Sequence, residues 1–279
     1  MANKTILKWA GSKVRVIEQL IPLLPKTNRL VEPFGGSLAI FMNTEYPKYL
    51  ISDVNADLIN MYRVIESKPK DFIFAAKKVF DLYSQFPAHE KTAREYYLDI
   101  RESFNGAEIS LFFRAIYFLY LNRHGFRGLC RYNQSGGFNV SFGDYKNPYF
   151  PEQEINFFHR KIDKHTDILC RDWRDTLDLV ENGDGIYCDP PYLALGDEFT
   201  AYHQDGFNEC DHEELAKTLV ILVKNHGCQV TVSNSLEAKE LYADLGFTIH
   251  EIEAPRTIAV NGNRKPAKEI IAALNGVAQ

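Results

Sequence analysis

The tetrapeptide Asp189-Pro190-Pro191-Tyr192 places a carboxylate, two prolines and an aromatic ring directly after the apolar run "GIYC". Proline has no N–H group and a fixed φ, so neither a helix nor a central strand continues through two of them. The chain must therefore leave the sheet there as a stiff turn. In open α/β folds, ligands bind beyond the carboxyl ends of the strands, where this turn is expected to lie.

The chemical groups of this turn suit a planar substrate that carries an amino group. The Asp189 carboxylate and the Pro190 carbonyl accept hydrogen bonds from both amino protons, and Tyr192 offers a ring face for stacking. The lone pair of such an amino nitrogen is delocalised into its ring, which makes the nitrogen a poor nucleophile. Two acceptors favour a more pyramidal nitrogen, so the turn predicts activation of an amino group. A proline-rich turn with a capping aspartate is the alternative interpretation.

The composition is ordinary for a globular protein and bounds the number of domains. The chain has 279 residues, of which 45% are hydrophobic and 25% charged. This length permits one large domain, or one domain with a substantial insertion. The five cysteines form no C-x-x-C pair, which predicts free thiols in a reducing compartment.

Neither a signal peptide nor a membrane span is expected from the sequence. The N-terminal stretch "MANKTILKWAGSK" lacks the apolar core of a signal peptide. The longest apolar runs, "AIYFLYL" and "LVILV", are too short to cross a bilayer. We therefore expect a soluble protein in the cytoplasm, without membrane contact.

Charge is distributed unevenly along the chain. The formal net charge of −5 argues weakly against a polyanionic partner. Residues 122–146, however, contain four basic residues against Asp144 alone, and residues 256–268 contain four basic residues and no acidic one. Two basic patches on an acidic chain predict a side that faces a polyanion, with solvated loops as the alternative interpretation.

Two stretches of the chain, residues 1–65 and 165–279, alternate between strand-like and helix-like patterns. The expected strands are "RLVEPF", "KYLISD", "DILC", "GIYCDP", "CQVTVSN" and "FTIHEIE", and the expected helices are "LAIFMN", "DLINMYRVIE" and "HEELAKTLVILVKNH". This alternation predicts an α/β fold with a Rossmann-like, doubly wound, mostly parallel sheet.

The middle of the chain has a different pattern. Residues 69–122 show helical periodicity, and the loop that follows contains a hairpin turn at "QSGGF". We therefore expect one domain of residues 1–65 and 165–279, with residues 66–164 inserted as a helical and β-hairpin subdomain.

Several stretches together resemble one enzyme family. Residues 189–192 resemble the catalytic motif of S-adenosylmethionine-dependent amino-methyltransferases, specifically the branch that methylates N6 of adenine in DNA. "LKWAGSK", "VEPFGGSLAIFMN" and residues 122–151 resemble the N-terminal element, the methyl-donor loop and the target-recognition stretch of the Dam-type enzymes. "FTAYHQDGF" and "VTVSNS" also fit, so the resemblance covers the chain nearly end to end. It implies methylation of double-stranded DNA, usually at GATC, by a monomer at the bacterial nucleoid or in a phage-infected cell.

The resemblance implies S-adenosylmethionine as donor, S-adenosylhomocysteine as product, and no metal. From the residues alone, Gly36 permits close approach of a ligand, and Asp53, seventeen residues later, suits ribose hydroxyls. The alternative for Asp53 is a helix N-cap. The expected catalytic residues are Asp189, Pro190, Pro191 and Tyr192. The expected donor site comprises Trp9, Ala10, Gly11, Lys13, Phe34, Gly36, Asp53, Asp172, Trp173 and Asp189.

Adenine inside a duplex hides its amino group, so the base must rotate out of the stack. We expect Phe126 to fill the gap and Arg131 to read guanine. The resemblance adds contacts of Lys8 with the outer guanine, of Leu129 with a thymine methyl and of Arg101 with phosphate. The full set of expected DNA-binding residues is Lys8, Arg101, Asn122, Phe126, Arg127, Leu129, Arg131, Asn133, Ser141 and Tyr145. The expected mechanism is direct displacement, in which the amino nitrogen attacks the sulfonium methyl in line.

Three residues depart from the family pattern. Leu38 replaces the last glycine of F-x-G-x-G, so we expect it to crowd a left-handed turn and Gly35 to shift the bend one residue earlier. Arg127 replaces an Asn and Ser141 a Pro in the reading stretch. Two alternatives remain: an amino-methyltransferase acting on RNA or protein, and a catalytically inactive DNA-binding regulator, which Leu38 favours.

Overall fold

The computed structural model describes residues 2–84, 91–193, 207–254 and 267–275. Its strands are β1 (Arg29–Glu32), β2 (Lys48–Asp53), β3 (Thr166–Cys170), β4 (Gly185–Cys188), β5 (Gln229–Ser235), β6 (Thr248–Ala254) and β7 (Ala267–Asn275). They form one sheet in the order β3-β2-β1-β4-β5-β7-β6. Strands β1 to β5 are parallel, and β7 runs antiparallel to both β5 and β6. The predicted Rossmann-like, mostly parallel sheet is confirmed.

The helices follow the strands along the chain as the alternating pattern predicts. Those described are α1 (Ile17–Leu20), α2 (Ala56–Ser67), α3 (Pro69–Ser84), α4 (Lys91–Asn105), α5 (Leu111–His124), α6 (Glu152–Lys161), α7 (Trp173–Leu177), α8 (Glu209–His226) and α9 (Lys239–Asp244). Side chains that accept backbone N–H groups fix where three of them begin: Asn55 caps α2, Ser110 caps α5, and Asn208 caps α8.

The helix expected at "LAIFMN" is wrong. Only the three residues Phe41–Asn43 form a 3₁₀ turn. Leu38 has a left-handed backbone at the start of this segment, and Thr44 is already extended at its end. The left-handed residue before this segment and the extended residue after it confine it to a single 3₁₀ turn.

Both faces of the sheet are covered, because adjacent side chains of a strand point to opposite sides. Leu30 and Val31 of β1 are both fully buried and belong to different core clusters. One cluster packs the sheet against α7, α8 and α9. The other packs it against α1 and the helices α2 to α6, so the inserted helices share a continuous core with the sheet. The division into a 66–164 subdomain and a surrounding domain stays a prediction.

The stretch after α5 is held by isolated bridges. Gly125 pairs with Phe142 and Tyr132 pairs with Phe138, both antiparallel. The turn between them is closed by Asn133, whose carbonyl accepts the Gly136 N–H at 2.9 Å and whose Oδ1 accepts the Gly137 N–H at 2.8 Å. The expected turn at "QSGGF" is therefore present, although its flanks form single bridges rather than regular strands.

The loop after β1 bends at Gly36 (φ 48°) and Leu38 (φ 60°). Gly35 does not have a positive φ, so the expectation that it shifts the bend is wrong. Its role is close packing, because a Cβ there would lie 2.8 Å from Ile51 Cγ2. A left-handed leucine costs about 1–2 kcal/mol, whereas burying its side chain contributes roughly 1.5–3 kcal/mol. With Leu38 only 1% exposed, the burial outweighs the strain.

We expect Leu38→Gly to be more stable than Leu38→Ala by about 1 kcal/mol, because both lose the buried side chain but only glycine tolerates the positive φ. Free energies of unfolding from urea denaturation measure this difference. Leu58, fully buried in α2, is the matched control. There the order should reverse by about 1 kcal/mol, since alanine favours a helix over glycine. An alanine variant more stable than the glycine variant at position 38 would contradict the left-handed conformation.

Candidate active site

The carboxyl ends of β1, β2, β3 and β4 open into one cavity of about 620 Å³. Strand β1 lies between β2 and β4, so the chain connections diverge to opposite sides at this point. A crevice forms where the strand order reverses, which is the usual ligand position in such sheets. The cavity therefore lies where the expected turn after β4 predicts it.

The cavity brings together every residue that the sequence assigns to the catalytic motif and the donor site. The motif residues that line it are Asp189, Pro190, Pro191 and Tyr192, and the remaining expected donor residues are Trp9, Ala10, Gly11, Lys13, Phe34, Gly36, Asp53, Asp172 and Trp173. Asp189 and Tyr192 are therefore neither sealed from a cavity nor distant from the side of the sheet that carries Gly36 and Asp53.

An ion pair joins the N-terminal segment to the turn after β4. Lys13 Nζ lies 2.8 Å from Asp189 Oδ1, with the two side chains 4% and 21% exposed. The same ammonium donates to the Gly11 carbonyl at 2.7 Å and lies 4.8 Å from the centre of the Tyr192 ring. Lys13 thus contacts two of the four motif residues.

The charges around Asp189 act on its ionisation in opposite directions. Burial raises the pKa of the Asp189 carboxyl to about 6, and the negative charge of Glu269 adds to this rise. The Lys13 ammonium opposes both through its charge and its hydrogen bond, which lower the Asp189 pKa. The result is a carboxyl group that is ionised at neutral pH and titrates under mildly acidic conditions.

The C-terminal end of the motif is held by β5 and β7. The Tyr192 O–H donates to Glu269 Oε2 of β7 at 2.7 Å. The N–H of Leu193 donates to Asn234 Oδ1 at 3.1 Å, and Ser235 Oγ donates to the Leu193 carbonyl at 2.6 Å. Two strands therefore hold the segment in which the prolines have removed two backbone donors.

Asp53 stabilises the corner between the loop after β1 and helix α2. Its Oδ2 accepts the Gly36 N–H and its Oδ1 accepts the Asn55 N–H, both at 2.9 Å. Burial raises the Asp53 pKa, and these two N–H groups oppose the rise. Asn55, not Asp53, caps α2, because its side chain accepts the Leu58 N–H at 3.0 Å. The alternative interpretation of Asp53 as the helix cap is wrong.

Gly36 leaves room for Trp9. A Cβ at Gly36 would lie 2.9 Å from Trp9 Nε1, and the residue's φ is positive, so both space and backbone favour glycine here. Ser37 Oγ and Ser12 Oγ are 3.0 Å apart and join the same two segments. The N-terminal element therefore packs directly on the glycine loop.

Three aromatic rings form a slot at the other end of the cavity. Phe34 and Trp173 are stacked at 6.4 Å between centroids, and Phe207 meets them edge-on at 5.8 and 6.2 Å. Asp172 caps α7 by accepting the Arg174 N–H at 2.9 Å. The Arg174 guanidinium lies 4.3 Å from the Trp173 ring and pairs with Asp211 at 2.6 Å. Such a slot suits a flat ring.

Sequence reasoning missed several residues that line the cavity. Glu32, the last residue of β1, is 2% exposed, and its Oε1 has no hydrogen-bond partner among the described residues. Burial raises its pKa to about 8, with the Asp189 charge adding to the rise and Lys161 opposing it. Glu32 stands in "VEPF", directly before the expected glycine loop, and this position could have indicated that it lines the cavity. Phe207 and Asp211 were also missed, because only tertiary packing brings α8 beside α7.

The expected DNA-binding residues lie outside the cavity, and three of them form a cluster around the N-terminal segment. Lys8 donates its backbone N–H to Asn122 Oδ1 at 2.9 Å, and its Nζ lies 4.0 Å from the Tyr145 ring centre. Burial lowers the Lys8 pKa, with Arg123 as the second cause. Asn122 is 1% exposed and also donates to the Lys8 and Gly128 carbonyls at 2.7 and 2.9 Å. In this conformation its amide ties two segments together rather than facing solvent.

Phe126 is an exposed aromatic residue of the recognition stretch, at 46% exposure. The neighbouring Arg127 is exposed, has a positive φ of 54°, and lies with its guanidinium 5.0 Å from the Phe126 ring. Its N–H donates to Tyr145 Oη at 2.9 Å, and the carbonyl of the exposed Ser141 accepts the Phe126 N–H at 2.7 Å. Hydrogen bonds thus hold the backbone of Phe126 and Arg127, while the Phe126 side chain is exposed.

Arg131 is exposed and flanked by two anchored residues. Its Nε donates to Asn139 Oδ1 at 2.8 Å. Before it, Cys130 Sγ lies 3.5 Å from Asn55 Nδ2, and after it, Tyr132 donates to Asp57 Oδ2 at 2.6 Å. Both anchors belong to the start of α2, directly after Asp53.

The remaining expected DNA contacts have more varied surroundings. The half-buried Arg101 donates to the Val140 carbonyl at 3.1 Å, and Leu129 is half-buried in the main core cluster. Asn133 is exposed, and its side chain closes the turn after Tyr132. Arg101 and Asn133 therefore have structural partners in addition to any ligand.

Parts of the earlier expectations fall outside the described residues. These parts are residues 199–206 of "FTAYHQDGF" and residues 256–266 of the second basic patch. Within the described residues, no group of three or more His, Cys, Asp or Glu side chains could hold a metal ion. In the same part of the chain, every helix is too short or too polar to cross a membrane.

Comparisons with known proteins agree on one family. The model of the D12 class N6 adenine-specific DNA methyltransferases matches residues 9–258. Retron Ec67 DNA adenine methylase of Escherichia coli is 47% identical over 272 residues, which cover 96% of this chain and 90% of that protein. A DNA adenine methylase of Vibrio cholerae serotype O1 is 40% identical, and that of Escherichia coli strain K12 is 37% identical, each over 275 residues covering 97% of this chain and 95% of the relative. The chain is therefore a member of the D12 class of N6 adenine-specific DNA methyltransferases, enzymes that methylate adenine in DNA.

Proposed function

We propose that this enzyme transfers a methyl group from S-adenosylmethionine to N6 of an adenine rotated out of double-stranded DNA, at GATC sites. The observation that carries this proposal is the single cavity in which Asp189 and Tyr192 face the residues expected to bind the donor. The Lys13–Asp189 ion pair at 2.8 Å marks the junction between the two halves of the cavity. Family membership argues against both alternatives, an enzyme acting on RNA or protein and an inactive regulator.

The shape and chemistry of the cavity fit S-adenosylmethionine. The slot of Phe34, Trp173 and Phe207 suits the donor's adenine, and the half-buried Asp53 carboxylate suits its ribose hydroxyls. The space at Gly36 that a Cβ would fill permits close approach of the donor to the loop. Residues Trp9 to Lys13 would enclose its amino-acid end. When bound, S-adenosylmethionine supplies an electrophilic methyl group on a positively charged sulfur.

Asp189 and Pro190 orient the nucleophile. Lys13 engages Asp189 Oδ1, so we assign Oδ2 and the Pro190 carbonyl to the two protons of the adenine amino group. The Tyr192 ring provides the wall against which the base stacks. Methyl transfer would break the sulfur–methyl bond as the N6–methyl bond forms, with S-adenosylhomocysteine as the leaving product. The Asp189 carboxylate would accept the amino proton that is released. Alignment of the amino group supplies most of the acceleration.

Rotation of the adenine leaves a gap in the duplex that an exposed side chain must fill. Unstacking and unpairing cost a few kcal/mol. The Phe126 side chain is exposed, its backbone N–H donates to the Ser141 carbonyl, and Arg127 lies against its ring. Because its backbone is held and its ring is exposed, we assign Phe126 to fill the gap. Arg127 and Tyr145 would contact the adjacent backbone.

Base reading is assigned to the exposed face beside the cavity. Arg131 presents a planar donor that matches guanine O6 and N7, and Lys8 would contact the second guanine. Leu129 would contact a thymine methyl, and Arg101 and Asn133 phosphates. Residues 66–164 then act as the target-recognition subdomain, and residues 1–65 and 165–279 as the catalytic domain. Asn122 would act through its hydrogen bonds to Lys8 and Gly128.

Asp189→Ala should abolish methylation and leave duplex binding largely intact, because the side chain holds the amino group but lies outside the DNA-reading face. Methyl incorporation into a GATC duplex and a gel-shift titration measure the two effects. Asp244→Ala, on the exposed side of α9, is the matched control and should retain both activities. Near-normal methylation by Asp189→Ala would overturn the proposed mechanism.

The rate of methylation should fall as the pH drops through about 6, because protonation removes the Asp189 acceptor. Lys13→Gln removes the charge that lowers the Asp189 pKa, so the acidic limb of kcat/KM should move to higher pH. Initial rates over a series of buffers measure this limb, with the exposed Lys26→Gln as the control that should not move it. A limb that stays in place in Lys13→Gln would show that another group titrates.

Arg131→Ala should reduce discrimination at one guanine by about 1–3 kcal/mol. Affinities for a GATC duplex and for its single-base variants, at fixed salt, measure this loss. The exposed Lys146→Ala is the contrasting variant, which should weaken binding equally on all sequences. An equal loss for Arg131→Ala on every duplex would make this residue a phosphate contact instead of a reader.

A further inference from the structure

Glu269 contacts the catalytic motif from strand β7, which is separated from β4 by β5 in the sheet. It lies on β7, directly opposite Ser235 of β5 in the strand register. Its Oε2 accepts the Tyr192 O–H at 2.7 Å, while Ser235 Oγ donates to the Leu193 carbonyl at 2.6 Å. This end of the β5–β7 pair therefore contacts two consecutive residues of the turn after β4.

The prolines stiffen the backbone of this turn, but they do not fix the Tyr192 side chain. Proline restricts its own φ and the conformation of the residue before it, whereas Tyr192 follows both prolines. The Lys13 ammonium, 4.8 Å from the ring centre, attracts the ring without setting its tilt. The hydrogen bond to Glu269 is directional and involves a charged acceptor, so it is the stronger restraint on the ring.

We infer that Glu269 is a positioning residue for the reaction, which fixes the Tyr192 ring as the wall for the target adenine through the Tyr192 hydroxyl. This inference rests on the proposed function of Tyr192. It goes beyond that function, because it assigns to Glu269 the positioning of the ring through the Tyr192 hydroxyl rather than a contact with a substrate.

No sequence pattern singles out Glu269. It stands in "AKEIIAAL", whose apolar pattern predicts packing, and it lies far along the chain from the motif. Only the insertion of β7 between β5 and β6 brings it beside Tyr192. A glutamate with a purely structural role would stabilise β7 regardless of the Tyr192 hydroxyl.

A double-mutant cycle separates these two roles. Glu269→Ala and Tyr192→Phe each remove the same hydrogen bond, so each should lower kcat by about 10- to 100-fold. When Glu269→Ala is added to Tyr192→Phe, kcat should fall by no more than about twofold further, since the two residues act as a unit. Glu269→Gln retains an acceptor for the hydroxyl and should restore kcat to within about threefold of wild type.

Two measurements exclude indirect effects. The Kd for S-adenosylhomocysteine, measured by calorimetry, should stay within about twofold in each variant. The exposed Glu253→Ala on the neighbouring β6 is the matched control, and its kcat should match wild type. If Glu269→Ala does not fold, the single variant Tyr192→Phe, which deletes only the hydroxyl, provides the test by itself.

The inference is overturned if Glu269→Ala lowers kcat as much in the Tyr192→Phe variant as it does in the wild-type enzyme. It is also overturned if Tyr192→Phe lowers kcat by less than about twofold. Failure of the proposed function would look different. In that case wild-type enzyme would not methylate adenine, or Asp189→Ala would remain active, whatever the cycle shows.

Discussion

The candidate active site depends on the ion pair between Lys13 and Asp189. Lys13 is 4% exposed, and a buried ammonium left without its partner costs several kcal/mol. The partner stands far along the chain, after β4, so the pair fixes the N-terminal segment against the motif. It also keeps the carboxylate ionised near neutrality, against burial and the Glu269 charge. One contact therefore closes the cavity and sets the charge state on which the chemistry depends.

The same N-terminal segment connects the cavity to the proposed DNA-reading face. Lys8 is tied to α5 and to Gly128 through the buried amide of Asn122, and Lys13 lies five residues later against Asp189. On the other side of the cavity, Asn55 and Asp57 hold the residues that flank Arg131. The proposed reading residues and the cavity residues therefore share short, hydrogen-bonded supports, and helices α2 to α6 lie in one core cluster with the sheet.

Much of this arrangement could be predicted from the sequence. The apolar runs that end in Asp53 and Asp189 predicted parallel strands, because strand-like and helix-like stretches alternate along both parts of the chain. The Leu38 conformation could not be predicted, since it balances side-chain burial against backbone strain, and only the packed core decides that balance. The buried role of Asn122 and the contacts of Glu269 were also beyond reach, because both depend on partners from distant segments. Local sequence patterns predict where the strands end, whereas contacts such as those of Asn122 and Glu269 form only through tertiary packing.

The position of β7 has a consequence for synthesis of the chain. Among the described strands, β7 is the last to leave the ribosome, yet it lies between β5 and β6. Until it arrives, β6 lacks a neighbour and β5 presents an open edge with unpaired backbone groups. Folding begins with the N-terminal part of a chain during translation, so this sheet is incomplete until β7 has been synthesised. A nascent polypeptide thus carries the glycine loop and Lys13 of the cavity well before it carries a completed sheet.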